Sequence, residues 1–319
     1  MNDRTRNDRP YLSSEDDPVV GELWANEEDA VYDAIELPVS RSGRTAEEVA
    51  RLCAEEAGRI IMSRFRHAGR REQMVAKGRG NFVTQTDLAV EHMVLELLGS
   101  EYPDHTVLSE ETAGGWSPGA SGETEQPLAE SAARGWTWIV DPLDGTHNFS
   151  QGIPFFAFNI ALCRDGDPVL GLTYSPVAQE YFFAEEGKGL TVNGEPATAS
   201  STGSVRESVL GIDLGYNDER AAKLIALIAD IWPGVQSVRV MGSAALGLAF
   251  AASGRYDVFV HHYLFPWDVA AGLVLVREGG GKVLDRDGGP GGIFSQGIVA
   301  GAPGAVEDFL RLAGDRPWR

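Results

Sequence analysis

The chain has few cysteines and no long hydrophobic run, and both absences limit what it can be. Only two of its 319 residues are cysteines, Cys53 and Cys163, and apolar neighbours favour buried, reduced thiols over a disulfide framework. No apolar run reaches the roughly 18 residues that a membrane-spanning helix needs. The first arginines, Arg4, Arg6 and Arg9, lead into an acidic stretch and not an apolar one, so we expect no secretory signal. These features together predict a cytoplasmic protein.

Basic residues are also scarce. The chain has 27 Lys and Arg against 47 Asp and Glu, a formal net charge of -20. Such a charge opposes binding to nucleic acid or to an anionic membrane, and no basic stripe overrides it, so we predict neither partner. It would also repel a phosphorylated substrate unless bound cations reverse the charge locally. A metal site would resolve that conflict.

The distribution of apolar residues predicts an ordered chain after an acidic, flexible N-terminal extension over residues 1–40. Thr45 and Glu48 have the spacing of a capping box, and the apolar repeat that follows predicts a long amphipathic helix. Residues 114–134 are predicted to form an exposed loop, and Lys77 lies in a predicted polar turn. The patterns predict helices over 45–65, 87–102, 218–230, 243–253 and 267–278, and strands over 106–109, 136–140, 155–163, 168–174, 179–184, 236–240, 256–261 and 281–285.

The most informative stretch is Asp141-Pro-Leu-Asp144-Gly145-Thr146, which places two carboxylates and a hydroxyl on a turn after an apolar strand. The backbone after Gly145 is predicted to enter a short helix whose free N–H groups could hold a phosphate. Carboxylate oxygens suit Mg²⁺, and two such ions about 3.5 to 4 Å apart can clamp a displacement at phosphorus. Taken alone, the two aspartates are as typical of turn formers or helix caps as they are of metal ligands.

Four further acidic residues strengthen the metal hypothesis. Glu110 and Glu111 end another predicted strand, while Asp87 and Asp268 each stand at the start of a predicted helix. Each of them separately is typical of a cap or a solvated charge. The hypothesis therefore depends on the whole set.

The whole set resembles the inositol monophosphatase family. The matching segments are V-T-Q-T-D at 83–87, S-E-E at 109–111, W-I-V-D-P-L-D-G-T-H-N-F at 138–149, G-x-G-x-x-x-N-G at 187–194, Gly242-Ser243-Ala244-Ala245, and P-W-D-V-A-A-G at 266–272. The resemblance implies an α+β fold, a layered α-β-α-β-α sandwich of the inositol monophosphatase and fructose-1,6-bisphosphatase type. It further implies an N-terminal α+β lobe over 41–185 with most metal ligands, a C-terminal α/β lobe over 186–319, and a homodimer.

The resemblance also implies a role for individual residues. Glu110, Asp141 and the main-chain carbonyl of Leu143 would bind one Mg²⁺, and Asp141, Asp144 and Asp268 a second. Glu111 would assist a third ion or be a solvated neighbour, giving two or three ions per subunit. The attacking water would be held by Glu110 and Thr146, with Thr146 and Asp87 as the proton-handling pair. The implied substrate contacts are Asp144, Gly145, Thr146, Gly242, Ser243, Ala244, His261 and Asp268.

The substrate is less determined. His261 stands where inositol-specific members carry a glutamate, and it is followed by His262 and Tyr263. The histidine pair could bind a sugar or a second phosphate, or it could pack at a dimer interface. Asn148 is the residue type that the inositol and sugar phosphatase branches of the family carry at this position, so the resemblance favours those branches. We therefore predict a Mg²⁺-dependent phosphomonoesterase acting on inositol monophosphate or a sugar phosphate. The alternatives are fructose 1,6-bisphosphate, histidinol phosphate or a 3'-phosphoadenosine nucleotide as substrate, or a non-catalytic binding or regulatory protein.

Overall fold

A computed structural model describes residues 35–65, 75–76, 82–112, 134–215, 217–314 and 316. Most of the predicted acidic extension, Lys77 and nearly all of the predicted loop at 114–134 lie outside the described residues.

Within the described residues the chain forms helices and strands in alternating groups. The helices are α1 (Ala46–Phe65), α2 (Gln85–Glu101), α3 (Thr146–Gln151), α4 (Asp218–Ile231), α5 (Ala244–Ala252), α6 (Pro266–Glu278) and α7 (Pro303–Ala313). The strands are β1 (Val75–Ala76), β2 (Phe82–Val83), β3 (Thr106–Ser109), β4 (Trp136–Asp144), β5 (Ala157–Arg164), β6 (Asp167–Ser175), β7 (Glu180–Glu185), β8 (Gly189–Val192), β9 (Glu195–Ala197), β10 (Val209–Asp213), β11 (Ser237–Val240), β12 (Val258–His261), β13 (Lys282–Asp285) and β14 (Ile298–Gly301).

Two large sheets carry the fold. The first has seven strands in the order β3-β4-β5-β6-β7-β8-β9, with β3 and β4 parallel and every other pair antiparallel. The second has five strands in the order β11-β10-β12-β14-β13. In it β10 runs parallel to both β11 and β12, whereas β14 is antiparallel to its two neighbours. The carboxyl ends of β10 and β12 therefore lie side by side.

Helices and sheets alternate as layers because each sheet buries both of its faces. Helices α1 and α2 cover one face of the seven-stranded sheet. Helices α5 and α6 lie between the two sheets, in a core that includes Ile139 of β4 and Phe259 of β12. The outer face of the five-stranded sheet packs on α4 and α7 through Leu224 and Phe309. This five-layer arrangement confirms the predicted α-β-α-β-α sandwich.

Several predicted elements differ in the structure. Strand β4 does not end before Asp141 but continues to Asp144, because residues on both sides of the Pro142-Leu143 step pair with β5. Strands β1, β2, β8, β9, β10 and β14 and helix α7 were not predicted. The segment at 187–194 contains β8, and its last two residues, Asn193 and Gly194, form the turn between β8 and β9, with a φ of 52° at Asn193. Short apolar runs such as that of β14 carry too little periodicity to identify a strand.

Two expectations drawn from absences can be compared with the structure. None of the described helices combines the length and the apolar character needed to cross a membrane. Cys53 and Cys163 are both buried free thiols, as predicted. Burial raises the pKa of Cys53 to about 12, which keeps that thiol protonated at neutral pH.

Candidate active site

A β-bulge positions the first two carboxylates of the site. Asp141 pairs with Asn159 and Asp144 with Ala157, so β4 fits one more residue than β5 into the same interval. A bulge of this kind bends its strand and re-aims the side chains on it. Asp141 and Asp144 are 2% and 7% exposed, so both carboxylates are withdrawn from bulk water.

Helix α5 holds Asp144 from the other side. The Asp144 carboxylate accepts hydrogen bonds from the Ser243 hydroxyl and from the backbone N–H groups of Ala244 and Ala245, the latter at 3.1 and 3.2 Å. Ser243 is the N-cap of α5, and its Oγ also accepts from Leu246 N at 3.2 Å. These three donors fix the Asp144 side chain. They also join β4 of the seven-stranded sheet to α5, which lies between the two sheets.

Asp268 completes a cluster of three carboxylates. It lies in the first turn of α6, where its Oδ2 accepts from Phe265 N at 2.8 Å. One ligand oxygen from each of Asp141, Asp144 and Asp268 lies within 4.8 Å of the other two. Because three carboxylates this close together, two of them buried, repel one another when ionised, the cluster has the chemistry of a site for a hard divalent cation.

The pKa values of Asp141 and Asp144 reflect this repulsion together with burial. The pKa of Asp141 is raised well above its usual range by burial first, and then by Glu110, Asp144 and Asp268. Burial, with a contribution from Asp213, raises the pKa of Asp144 to about 7, although the hydrogen bonds from Ser243 and the α5 backbone oppose that rise. A bound cation would remove the repulsion and return these groups to their ionised form.

Thr146 and Asp87 form a hydrogen-bonded pair beside the cluster. Thr146 Oγ1 lies 2.9 Å from Asp87 Oδ1 and 2.9 Å from the Leu143 carbonyl oxygen, and its single proton can be donated to either. The other Asp87 oxygen accepts from Thr84 N at 2.9 Å and caps α2. Burial raises the pKa of Asp87, so its carboxylate is a better proton acceptor than an exposed aspartate.

Glu110 lies at the edge of the cluster. It follows β3, its N–H donates to the Val140 carbonyl at 3.2 Å, and its charge helps to raise the pKa of Asp141. Its carboxylate does not belong to the group of three that meet within 4.8 Å. Glu91 of α2 accepts from the backbone and hydroxyl of Thr112, at 2.9 and 3.0 Å, and so restrains the segment that carries Glu110 and Glu111.

A cavity of about 270 Å³ adjoins the cluster. All eight residues for which a substrate contact is implied line it: Asp144, Gly145, Thr146, Gly242, Ser243, Ala244, His261 and Asp268. Gly145 has a φ of 86°, and a Cβ there would stand 3.1 Å from the Phe155 carbonyl oxygen and 3.2 Å from that of Gly242. Both the backbone conformation and the close approach therefore favour glycine at the start of α3.

Asn148 has a connecting role. Its Nδ2 donates to the carbonyl oxygens of Phe155, Met241 and Gly242 at 2.8, 2.7 and 3.1 Å. These bonds join α3 to the segment before α5, and they hold Gly242 at the cavity. Asn148 is thus a structural residue of the site.

The structure adds Asp213, which the sequence did not reveal. Asp213 ends β10, lines the cavity, and accepts from the N–H groups of Gly242 at 2.7 Å and Ser243 at 3.2 Å. Burial raises its pKa to about 6. The available signal was an aspartate at the end of a short apolar run, and the carboxyl ends of adjacent parallel strands are a common place for ligand sites.

His261 lies on the neighbouring strand, directly across from Asp213. Its Nδ1 accepts from Tyr263 N at 3.2 Å, which leaves the proton of the neutral ring on Nε2. Burial lowers the pKa of His261 to about 3 and that of His262 to about 4, so both rings are neutral at physiological pH. An anion at this wall of the cavity would therefore find no charge on the histidines.

Comparisons with known proteins agree with the geometry. The profile of the inositol monophosphatase family matches residues 44–314. The chain is 35% identical over 260 residues to inositol monophosphatase 1 of Solanum lycopersicum, covering 81% of this chain and 90% of the relative. It is 34% identical over 258 residues to the Nus factor SuhB of Salmonella typhimurium, with coverages of 81% and 91%. The crystal structure of the extragenic suppressor protein suhB from Bartonella henselae superposes with a TM-score of 0.74 at 32% identity, covering 84% of this chain and 98% of that one.

Proposed function

The chain belongs to the inositol monophosphatase family and is a phosphoric monoester hydrolase, and we propose that it uses Mg²⁺ to release phosphate from a small phosphorylated alcohol such as inositol monophosphate or a sugar phosphate. The observation that carries this proposal is the cluster of Asp141, Asp144 and Asp268 beside the cavity, in which the first two are buried and Asp268 is half-buried.

Five groups are suited to hold the metal ions. They are the carboxylates of Glu110, Asp141, Asp144 and Asp268 and the carbonyl oxygen of Leu143, and we propose that they hold two or three ions, with Glu111 as a candidate for the third. When bound, Mg²⁺ supplies Lewis-acid chemistry that lowers the pKa of a water molecule and neutralises phosphate oxygens. Oxygen ligands of this kind favour Mg²⁺ over softer metals.

The protein's own groups would position the substrate and move a proton. We propose that phosphate oxygens are received by the N–H groups of Gly145 and Thr146, which lie at the start of α3 and line the cavity. Glu110 and the Thr146 hydroxyl would hold the attacking water. Its proton can pass through Thr146 Oγ1 to Asp87 Oδ1, 2.9 Å away, where the raised pKa favours uptake.

Phosphate release from a substrate panel tests this proposal. The panel contains inositol 1-phosphate, fructose 1,6-bisphosphate, histidinol phosphate and 3'-phosphoadenosine 5'-phosphate, each assayed with and without Mg²⁺. We expect Mg²⁺-dependent release from at least one compound, and a fall of about a hundredfold or more in Asp141→Asn, because several kcal/mol of charge stabilisation is lost. Asp104→Asn, at an exposed aspartate, is the matched control and should retain wild-type activity. Release that persists without divalent metal, or in Asp141→Asn, would contradict the proposal.

The remaining parts of the proposal concern the setting of the enzyme. We propose a cytoplasmic homodimer built from an N-terminal lobe over 41–185 and a C-terminal lobe over 186–319. The small phosphorylated substrate is its expected partner, with neither nucleic acid nor membrane. Light scattering after size exclusion measures the oligomeric state, and a mass of one chain, 34.3 kDa, would rule out the dimer.

A further inference from the structure

One end of the five-stranded sheet gathers four chain segments next to the substrate cavity. Asp213 of β10 is paired with His261 of β12, and Ile298 of β14 stands between His261 and Asp285 of β13. The residues that follow β10, β12 and β13, and those that precede β14, must therefore meet at this end. Asp213 and His261 both line the cavity, so the sheet end forms part of its wall.

Two arginines lie at this end of the sheet. Arg220, in the first turn of α4, donates to Gln296 Oε1 at 2.8 Å, and its guanidinium carbon lies 5.6 Å from the centre of the Tyr263 ring. Tyr263 itself lines the substrate cavity. Arg286 follows β13, and its Nη1 lies 3.4 Å from the His262 carbonyl oxygen. The two guanidinium groups thus flank the same short segment after β12.

The path of Arg286 depends on a glycine. A Cβ at Gly297 would stand 2.4 Å from Arg286 Cδ and 2.7 Å from its Cγ, so the arginine stem passes directly over the Gly297 backbone. Arg286 and Gln296 also line a second cavity, of about 630 Å³. The guanidinium of Arg286 is thereby held at a surface that a ligand can reach.

Within the described part of the chain, neither arginine is held in an ion pair, although the charge of Asp287 acts on Arg286 and that of Arg220 on Glu219. Most of the arginines that do form an ion pair meet a carboxylate within 3 Å. Burial and then the charge of Arg220 lower the pKa of Arg286, whereas the charge of Asp287 opposes that shift, so the two cations repel each other and one neighbouring carboxylate partly offsets the repulsion. Both guanidinium groups belong to half-buried residues, so water screens their repulsion less than at an exposed surface. A bound anion would relieve the repulsion and accept their hydrogen bonds.

We propose that Arg220 and Arg286 form an anion subsite beside the substrate cavity, which receives a second anionic group of the substrate, a phosphate or a carboxylate. The inference rests on the proposed function, because the second anionic group belongs to the same substrate whose phosphate ester would lie at the carboxylate cluster. It makes the preferred substrate a bisphosphate or a phosphorylated acid. The neutral histidines of the segment would then serve as hydrogen-bonding and packing groups, and the charge would come from the arginines.

Matched substrate pairs test the subsite. Fructose 1-phosphate and fructose 1,6-bisphosphate differ by one phosphate, and glycerol 2-phosphate and 2-phosphoglycerate differ by one carboxylate, so the pair with the larger ratio of kcat/KM identifies the anion. We expect the wild type to prefer the anion-bearing member. In Arg220→Gln and in Arg286→Gln the ratio within the preferred pair should fall about tenfold or more, mainly through KM, because a charge-assisted hydrogen bond is lost. Arg206→Gln is the matched control, because exposed Arg206 precedes β10 at the opposite end of that strand.

The outcomes separate the subsite from the reaction. A ratio that is unchanged in both arginine variants, with melting temperatures close to the wild type, overturns the subsite while leaving the hydrolase in place. If no compound is hydrolysed, calorimetric titration of the four compounds into wild type and Arg286→Gln, which needs no turnover, decides the matter. If the anion-bearing compounds bind the wild type at least about tenfold more tightly than they bind Arg286→Gln, the subsite is supported even though the proposed function has failed. Equal binding by both proteins would overturn it.

Discussion

Asp87 and Asp268 each combine a helix cap with membership of the site. Asp87 accepts from Thr84 N with one oxygen and from Thr146 Oγ1 with the other. Asp268 accepts from Phe265 N and also belongs to the carboxylate cluster. From the sequence alone, cap and ligand stand as alternatives, but a carboxylate has two oxygens and can serve both purposes. The helix start fixes the side chain, so its second oxygen is preorganised for the site.

The buried acids make the metal-free protein sensitive to pH, and Asp213 gives the clearest case. Its pKa is raised from 3.8 to about 6, so the folded state holds this proton more tightly than the unfolded state. Its contribution to stability is therefore fully present below about pH 4 and is lost as the pH rises through about 6. A shift of about two units corresponds to about 3 kcal/mol in the free energy of unfolding.

We expect Asp213→Asn to lose most of that pH dependence. Urea denaturation with a chelator present, from about pH 4 to about pH 8, measures it, and the free energy of unfolding should fall by about 2 kcal/mol less in the variant than in the wild type. Asp104→Asn, at an exposed position, should follow the wild-type curve. Parallel curves for Asp213→Asn and the wild type would show that the Asp213 carboxylate is not held in the environment described above.

Among the secondary-structure elements, the contact between α6 and the seven-stranded sheet is the one that positions Asp268. A Cβ at Gly171 of β6 would stand 2.5 Å from the Ala271 carbonyl oxygen and 2.9 Å from Ala271 Cα. The helix backbone therefore rests directly on the strand, and only glycine leaves room for it. Asp268 lies one turn before Ala271 on the same helix, so the distance between helix and sheet also sets the position of the carboxylate.

Two glycine-to-alanine substitutions should have opposite effects. Gly171→Ala should destabilise the protein by about 1 to 3 kcal/mol through overpacking, and it should lower activity because α6 must move. Gly99→Ala lies on the exposed side of α2 with no atom within 4 Å of the new Cβ, and it should stabilise the protein by about 0.5 to 1 kcal/mol. Urea denaturation measures both. A Gly171→Ala protein as stable and active as the wild type would mean that the close helix contact is not required.

The elements also show which parts of the fold a sequence can predict. Helix α1 was predictable because Val49, Cys53, Ala57 and Ile61 repeat at helical spacing and all face the core. Strand β10 was not, because both of its faces are covered by helices and its five residues carry no alternation. The site followed the same division. The motif carboxylates were predictable from local sequence, whereas the bulge in β4 and the place of Asp213 depend on which strands pair, and pairing is a long-range property.

At the scale of the whole molecule, the site is assembled from both sheets. Asp141 and Asp144 come from the seven-stranded sheet, Asp213 and His261 from the five-stranded sheet, and Asp268 from the helix layer between them. A cation at the cluster would therefore hold layers together as well as take part in chemistry. Because a ligand that binds only the folded state stabilises all of it, binding and global stability are linked.

The net charge of -20 leads to a final prediction about nucleic acid. Non-specific binding derives from Lys and Arg contacts with phosphates, and at physiological salt its Kd is about 10⁻⁴ to 10⁻⁶ M for proteins that have such contacts. The arginine pair at 220 and 286 is too small to act as a basic face, because a polyanion needs several such contacts and the 47 acidic residues of the chain would repel it. We therefore expect no saturable change in the fluorescence anisotropy of labelled single-stranded RNA or duplex DNA with up to about 100 µM of the full chain at about 50 mM salt. The Asp141→Asn protein provides a control for metal-bridged binding, since any signal that depends on the cluster should disappear in it. Saturable binding that weakens steeply between about 50 and 200 mM salt would contradict the prediction and would mean that a local basic surface outweighs the charge of the whole chain.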